Sequence, residues 1–176
     1  MKRLLFLLLP VMFLFISGMI SGQNYTKLGV DTTKGIPEGL QVGDKAPNFK
    51  GTDQFGKNIS LNKLLKEKQQ VVVFFYRGYW CGLCNQYLKA YQDSLNMREG
   101  EDVKVVGITA EKADNINKTV DSTGASFSII YDKNMKIMDK YGADFHVTKY
   151  YQDMITRYAS VDLKEANKQK EAVLPV

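Results

Sequence analysis

The sequence predicts an α/β domain built around a parallel sheet, and three observations carry that reading. Val71-Val72-Val73-Phe74-Phe75-Tyr76, Val103 to Thr109 and Ser126 to Tyr131 are apolar runs of strand length. The first does not alternate polar and apolar residues, so it reads as a strand buried on both faces. Segments of helical spacing lie between the runs: Cys84, Leu88, Tyr91 and Leu95 share one face over 81–96, and Glu111 to Val120 supplies a second helix. Strands separated by helices imply parallel pairing with right-handed crossovers. A hydrophobic content of 44% in 176 residues is enough for one core. Chemistry in such sheets gathers at the carboxyl ends of the strands. Cys81 follows the first strand, Glu111 the second and Asp132 the third, so all three are expected at one edge.

The remaining elements follow in chain order. Lys2 and Arg3 precede an uncharged apolar run from Leu4 to Ile20, and Ser17, Gly18, Ser21 and Gly22 offer small residues for cleavage. Residues 1–22 therefore read as a secretory signal, cut after Gly22. An uncleaved anchor is the competing reading, because the run nearly reaches the ~20 residues that span a bilayer. Membrane association is expected only in that case. No cysteine lies near the end of the run, which argues against a lipoprotein. Residues 23–41, polar and rich in Gly, Thr and Lys, read as a linker or an early hairpin, and the domain proper as 42–176. Gly51 to Lys57 is turn-rich and suggests a short hairpin. Ser60 is placed to cap a helix through about Lys68, with Leu61, Leu64 and Leu65 on one face. Met135 to Tyr141 reads as a short helix ended by Gly142. Tyr151 to Tyr158 fits helix or strand, and Val161 to Glu171 is polar and helix-prone.

The formal charge of +5 falls by two, to +3, when Lys2 and Arg3 are removed. So small a charge, spread along the chain, gives no reason to expect a nucleic-acid partner.

The chemistry concentrates in Trp80-Cys81-Gly82-Leu83-Cys84, which holds both cysteines and the only tryptophan. Two thiols two residues apart at a strand-to-helix junction suit thiol–disulfide exchange. If the helix begins near Cys81, the unpaired N–H groups and positive dipole end of its first turn favour the thiolate there. Cys84, one turn on, can then attack a mixed disulfide at Cys81 and release the product. Two other uses of the pair stay open. Zinc needs about four ligands, and His146 is the only histidine. A purely structural disulfide normally closes a long loop, whereas this one would restrict little. No metal and no cofactor are expected. His146 reads as a surface or packing residue, and Met135, Met138 and Met154 as core fillers.

Several neighbours carry two readings each. Arg77 either lowers the Cys81 pKa or pairs with a surface carboxylate. Trp80 shields the thiol or simply packs half-buried. Gly78 and Gly82 permit tight backbone around the pair. Glu111 is either a proton acceptor within water-bridged reach or a helix N-terminal acid matching the dipole.

The chain resembles the thioredoxin-like superfamily, in the branch of alkyl hydroperoxide reductase/thiol-specific antioxidant proteins, the peroxiredoxin-like redoxins. Val42-Gly43-Asp44-Lys45-Ala46-Pro47-Asn48-Phe49 is similar to the opening "vGdkAPdF", and Phe75-Tyr76-Arg77-Gly78-Tyr79-Trp80-Cys81-Gly82-Leu83-Cys84 to the signature "FYRGxWCPxC". The resemblance implies a thioredoxin-like fold, with a central mixed sheet flanked by helices. It also implies Cys81 as attacking thiol, Cys84 as resolving thiol and a redox-active disulfide between them.

Three departures shape the expectation. Peroxiredoxins of the PxxxTxxC type carry Pro and Thr where this chain has Phe74 and Gly78, so the hydroxyl that orients a peroxide is missing. Thioredoxins place a buried Asp where this chain has Phe75, which leaves Glu111 as the candidate substitute. The chain ends at Leu174-Pro175-Val176, and Pro175 lies two residues too early to be the family's cis-proline, so the domain is expected to lack its C-terminal strands and last helix.

Together these readings describe an exported bacterial enzyme of the periplasm or cell envelope. It exchanges disulfides with protein dithiol or disulfide clients, or with an electron-donating thiol partner. The alternatives are a thiol-dependent peroxidase acting on hydroperoxides, and a non-enzymatic metallochaperone or docking module on the same fold.

Overall fold

The computed structural model describes residues 24–68, 70–97 and 102–176, the side chains of 96 and 97 excepted; the predicted signal or anchor lies outside them. The central sheet is formed by β3 (Gln70–Phe75), β4 (Val103–Thr109) and β5 (Ser128–Tyr131), in that spatial order and parallel throughout. A hairpin of β1 (Lys50–Thr52) and β2 (Asn58–Ser60) adds an antiparallel bridge from Asp53 to Ile130 on β5. A second antiparallel pair, β6 (Asp144–His146) with β7 (Val173–Pro175), stands apart from this sheet.

The period of two along each strand sorts side chains into two cores. Val106 and Ile108 of β4, Ile130 of β5 and Val71, Val73 and Phe75 of β3 share one cluster. Two helices cover that face. The first, α1 (Leu61–Glu67), buries Leu61 and Leu64; the second, α4 (Lys136–Lys140), buries Ile137 and Met138. On the opposite face Val105, Ile129, Phe127 and Tyr76 meet α2 (Gly82–Met97) through Leu88 and α3 (Ala113–Thr123) through Ile116. Gly107 is closely packed there, since a Cβ would lie 3.1 Å from the Phe74 ring.

A third cluster joins α5 (Lys149–Ala159) and α6 (Leu163–Ala166) to β6, β7 and the N-terminal stretch. The sequence predicts a linker over 23–41. In the structure its first half forms 3-10 turns at Tyr25–Leu28 and Thr32–Lys34 and inserts Val30, 3% exposed, into this cluster. Val30 bridges Val147, the Asp31 N–H donates to the His146 carbonyl at 2.8 Å, and Gly29 packs on the Tyr151 ring.

Other expectations are corrected in detail. β3 is the edge of its sheet rather than a doubly buried strand, and Val72 is 40% exposed. Its apolar run turns the half-buried Val71, Val73 and Phe75 toward one core and leaves the other face to the partly exposed Phe74, which Tyr91 stacks on at 5.2 Å. Leu65 is 52% exposed, off the buried face of α1, and Ser60 makes no side-chain cap bond. Residues 151–158 are helical. The polar stretch after Val161 forms only the four-residue α6, because Lys168 has a positive φ that ends the helix.

Candidate redox site

The β3 strand delivers the chain to the upper edge of the sheet, where Tyr76 N–H still bonds the Ile108 carbonyl. The backbone then turns: Cys81 N–H donates to the Gly78 carbonyl at 3.0 Å, and Asn85 N–H to the Cys81 carbonyl at 3.0 Å as the helix begins. Cys81 thus sits immediately ahead of α2, which starts one residue later than the predicted 81. Cys81 and Cys84 form a disulfide with Cα atoms 5.2 Å apart. Both are partly exposed. Cys84 N–H points at Cys81 Sγ from 3.2 Å, so the first-turn amide that would stabilise a Cys81 thiolate is already aimed at the sulfur.

The turn is held by groups from other elements. The Tyr79 N–H donates to Glu111 Oε2 at 2.8 Å, and Asn85 Nδ2 donates to the Tyr79 carbonyl at 2.7 Å. Asn85 carries no signal in the sequence that marks it for this role. Glu111 is 0% exposed and lies between β4 and α3, since α3 starts at Ala113 and not at Glu111. It is therefore not the helix-end acid of the simpler reading. Burial pushes its carboxyl up to about 7, against the smaller opposing effects of the Tyr79 N–H and the Lys118 charge. Among the described residues its Oε1 is buried without a hydrogen-bond partner, as is Trp80 Nε1. Both atoms close on Gly78: a Cβ built there would collide with Glu111 Oε1 and lie 2.7 Å from Trp80 Nε1. Gly78 has φ +148° and needs to be glycine on both counts. Gly82 does not, since nothing lies within 4 Å of its missing Cβ.

The other sequence candidates divide. Trp80 and Tyr79 pack partly buried against the third cluster. Arg77 points into the same region, where Nη1 donates to Tyr151 Oη at 2.9 Å and the guanidinium lies over the Phe145 ring at 5.7 Å. Tyr151, which the sequence marks only as the start of a helix or strand, is therefore its anchor. Asp132 follows β5 as predicted, but it is buried and accepts the N–H groups of Ile137 and Met138, ending its lone pairs on α4. His146 Nδ1 pairs with Glu171 at 2.8 Å on the surface. Among the described residues no cluster of three or more His, Cys, Asp or Glu is placed to hold a metal.

A cysteine pair at the carboxyl end of a parallel strand, closing onto the first turn of the next helix, defines a thioredoxin-like thiol oxidoreductase. The chain belongs to the AhpC/TSA family, whose model matches residues 42–164. Thiol-disulfide oxidoreductase ResA of Bacillus thuringiensis (strain Al Hakam) is 26% identical over 171 residues, covering 97% of this chain and 94% of that protein. Peroxiredoxin Bcp of Escherichia coli (strain K12) is 24% identical over 103 residues, 58% of this chain and 65% of that one. Among solved structures, peroxidoxin BcpB from Mycobacterium tuberculosis superposes with a TM-score of 0.53 at 20% identity, covering 60% of this chain and 68% of its own. A putative thiol:disulfide interchange protein DsbE from Chlorobium tepidum gives 0.51 at 23%, over 61% and 77%. These likenesses establish the thioredoxin-like fold. The sequence relatives are thiol–disulfide oxidoreductases and peroxiredoxins, which makes the chain an oxidoreductase.

Proposed function

We propose that the protein is an exported thiol–disulfide oxidoreductase in which Cys81 attacks and Cys84 resolves. The observation that carries this reading is the Cys84 N–H directed at Cys81 Sγ from 3.2 Å. It selects Cys81 as the sulfur whose anion the helix stabilises, and leaves Cys84 as the one that closes the ring. Cys81 thiolate attacks one sulfur of a substrate disulfide; the S–S bond breaks and one thiolate leaves. Cys84 thiolate then attacks Cys81 Sγ, releasing the second thiolate, so the substrate gains two electrons and the protein ends as the Cys81–Cys84 disulfide. Run backwards, the same steps oxidise a dithiol client.

The supporting residues act around this pair. Glu111 takes up or supplies the proton that accompanies opening of the disulfide, because its carboxyl changes charge near neutral pH. Trp80 covers the turn, and Gly78 lets the carboxyl approach it. Gly82 and Leu83 fill the two positions between the sulfurs. Disulfide exchange is favoured over peroxide reduction because Gly78 and Phe74 stand at the Thr and Pro positions of the PxxxTxxC pattern. Export rests on the first 22 residues, read as a signal, which direct the domain to a compartment where disulfides persist.

The test is reduction of an aromatic disulfide dye by the reduced protein, with Trp80 fluorescence followed in parallel during mixing with hydrogen peroxide. Rapid dye reduction that disappears in Cys81→Ser, with a peroxide response no faster than that of a simple thiol, is the expected result. A fast fluorescence phase at micromolar peroxide, lost in the same variant, would move the assignment to a peroxidase acting through a Cys81 sulfenic acid. A Cys81→Ser protein that still reduces the dye at the wild-type rate would overturn the role of the pair.

A further inference from the structure

Arg77 is a partly buried cation with only neutral partners. Its guanidinium carries five N–H donors in a rigid fork. One is committed to Tyr151 Oη at 2.9 Å, and the plane rests over the rings of Phe145 at 5.7 Å and Tyr151 at 6.0 Å. Among the described residues it forms no salt bridge. A guanidinium seated on aromatic faces is held in one orientation while its remaining donors stay available. Lys118 is similar. Its Nζ sits 4.4 Å over the Tyr79 ring, again without a salt bridge among the described residues.

Both cations belong to or touch the segment that carries the redox turn. Arg77 immediately precedes Gly78, whose carbonyl accepts the Cys81 N–H at 3.0 Å, so the chain doubles back and brings Cys81 near the Arg77 backbone. Lys118 reaches Tyr79, two residues before Cys81. The carboxyl nearest the turn, Glu111, is fully buried and only partly ionised near neutral pH, and of the two cations it is Lys118 whose charge acts on it.

We propose that Arg77, with Lys118 in a secondary role, is a carboxylate subsite, and that the substrate is a low-molecular-weight disulfide carrying carboxylate groups close to its sulfurs. The inference rests on Cys81 exchanging with disulfides, and adds which disulfides it selects. The carboxylate docks on the free edge of the guanidinium fork while the adjacent sulfur lies at Cys81. Exchange then proceeds with the balance given above: one S–S bond breaks, one mixed disulfide forms, and the leaving thiolate departs with its own carboxylate. A charge-assisted pairing of this kind favours an anionic substrate by roughly tenfold over a neutral one of the same length.

The experiment uses three disulfides of matched chain length: dithiodipropionate (anionic), hydroxyethyl disulfide (neutral) and cystamine (cationic). Each is mixed with the reduced full chain and with Arg77→Gln, and second-order rates are read from Trp80 fluorescence. The quantity compared is the anionic-to-neutral rate ratio, which cancels general effects of the substitution on the thiol. The ratio should be about tenfold higher in the wild type than in Arg77→Gln, should shrink with added salt, and should be lower still for cystamine. Lys34→Gln, whose lysine is paired with Glu171 at 2.7 Å, should keep the wild-type ratio. Equal ratios in wild type and Arg77→Gln overturn the proposal even though every disulfide reacts. If hydroxyethyl disulfide itself fails to oxidise Cys81, the exchange reading fails, and the subsite falls with it.

Discussion

Replacing Glu111 with glutamine tests the electrostatics of the site directly. The carboxyl ionises near 7 in the fold, against an ordinary 4.5, chiefly because burial penalises its charged form. A raised acid pKa means the folded state holds the proton more tightly than the unfolded chain. Its contribution is therefore full below the unfolded value of 4.5 and is lost as pH rises through 7. At 1.4 kcal/mol per tenfold, the folded protein loses about 3 kcal/mol between about pH 4 and about pH 8 on account of this one group. The side chain is fully buried, so solvent screening removes little of that figure. Glutamine keeps the shape and still accepts the Tyr79 N–H, but it has no charge to bury. Glu111→Gln should match the wild type at the acid end and exceed it by about 3 kcal/mol at the alkaline end, a difference in which all other titrations cancel. Urea unfolding of the oxidised protein at a series of pH values reads it. Parallel stability curves for the two proteins would refute the reasoning, and with it the claim that Glu111 changes charge near neutrality.

Two further perturbations follow from the packing. Gly78→Ala places a methyl against Glu111 Oε1 and Trp80 Nε1 at a φ of +148°, and should cost about 1–3 kcal/mol in the same assay; a neutral result would mean that the turn has room the contacts deny. Gly29→Ala, at φ +89°, drives a Cβ into the Tyr151 ring and should speed hydrogen exchange at the Asp31 and Thr148 amides, whose bonds to His146 and Gly29 hold the N-terminal stretch; unchanged exchange would show that the stretch is held elsewhere.

The strands and the redox pair were legible because their signals are local. A strand-length apolar run and a Cys-x-x-Cys spacing each sit within ten residues, and the glycines and helical periods around them agree. What escaped depends on who the neighbour is. The edge position of β3 cannot be read from Val71 to Tyr76, because apolar residues are equally at home on an edge when Tyr91 and Phe127 cover Phe74. Residues 24–34 look like a linker, since their single large burial, Val30, acquires its partners from 145–174. Glu111 was visible as a candidate from its place after the second strand, but its burial comes from Gly78 and Trp80, thirty residues earlier. Arg77 read as a neighbour of the thiol, and Tyr151, seventy-four residues on, decides where its guanidinium goes.

The peptide of Tyr79 is gripped at both ends, its N–H by Glu111 and its carbonyl by Asn85. Neither grip involves sulfur, so both persist when the disulfide opens. Reduction therefore does not have to remodel the scaffold. Besides the proton exchanged with Glu111, the reduction potential then depends on the segment Cys81–Cys84, through the amide of Cys84 and whatever stands at 82 and 83. Gly82 and Leu83 are exposed and free of packing duties. Evolution or an engineer can retune the electron affinity of this protein at those two positions without renegotiating its fold.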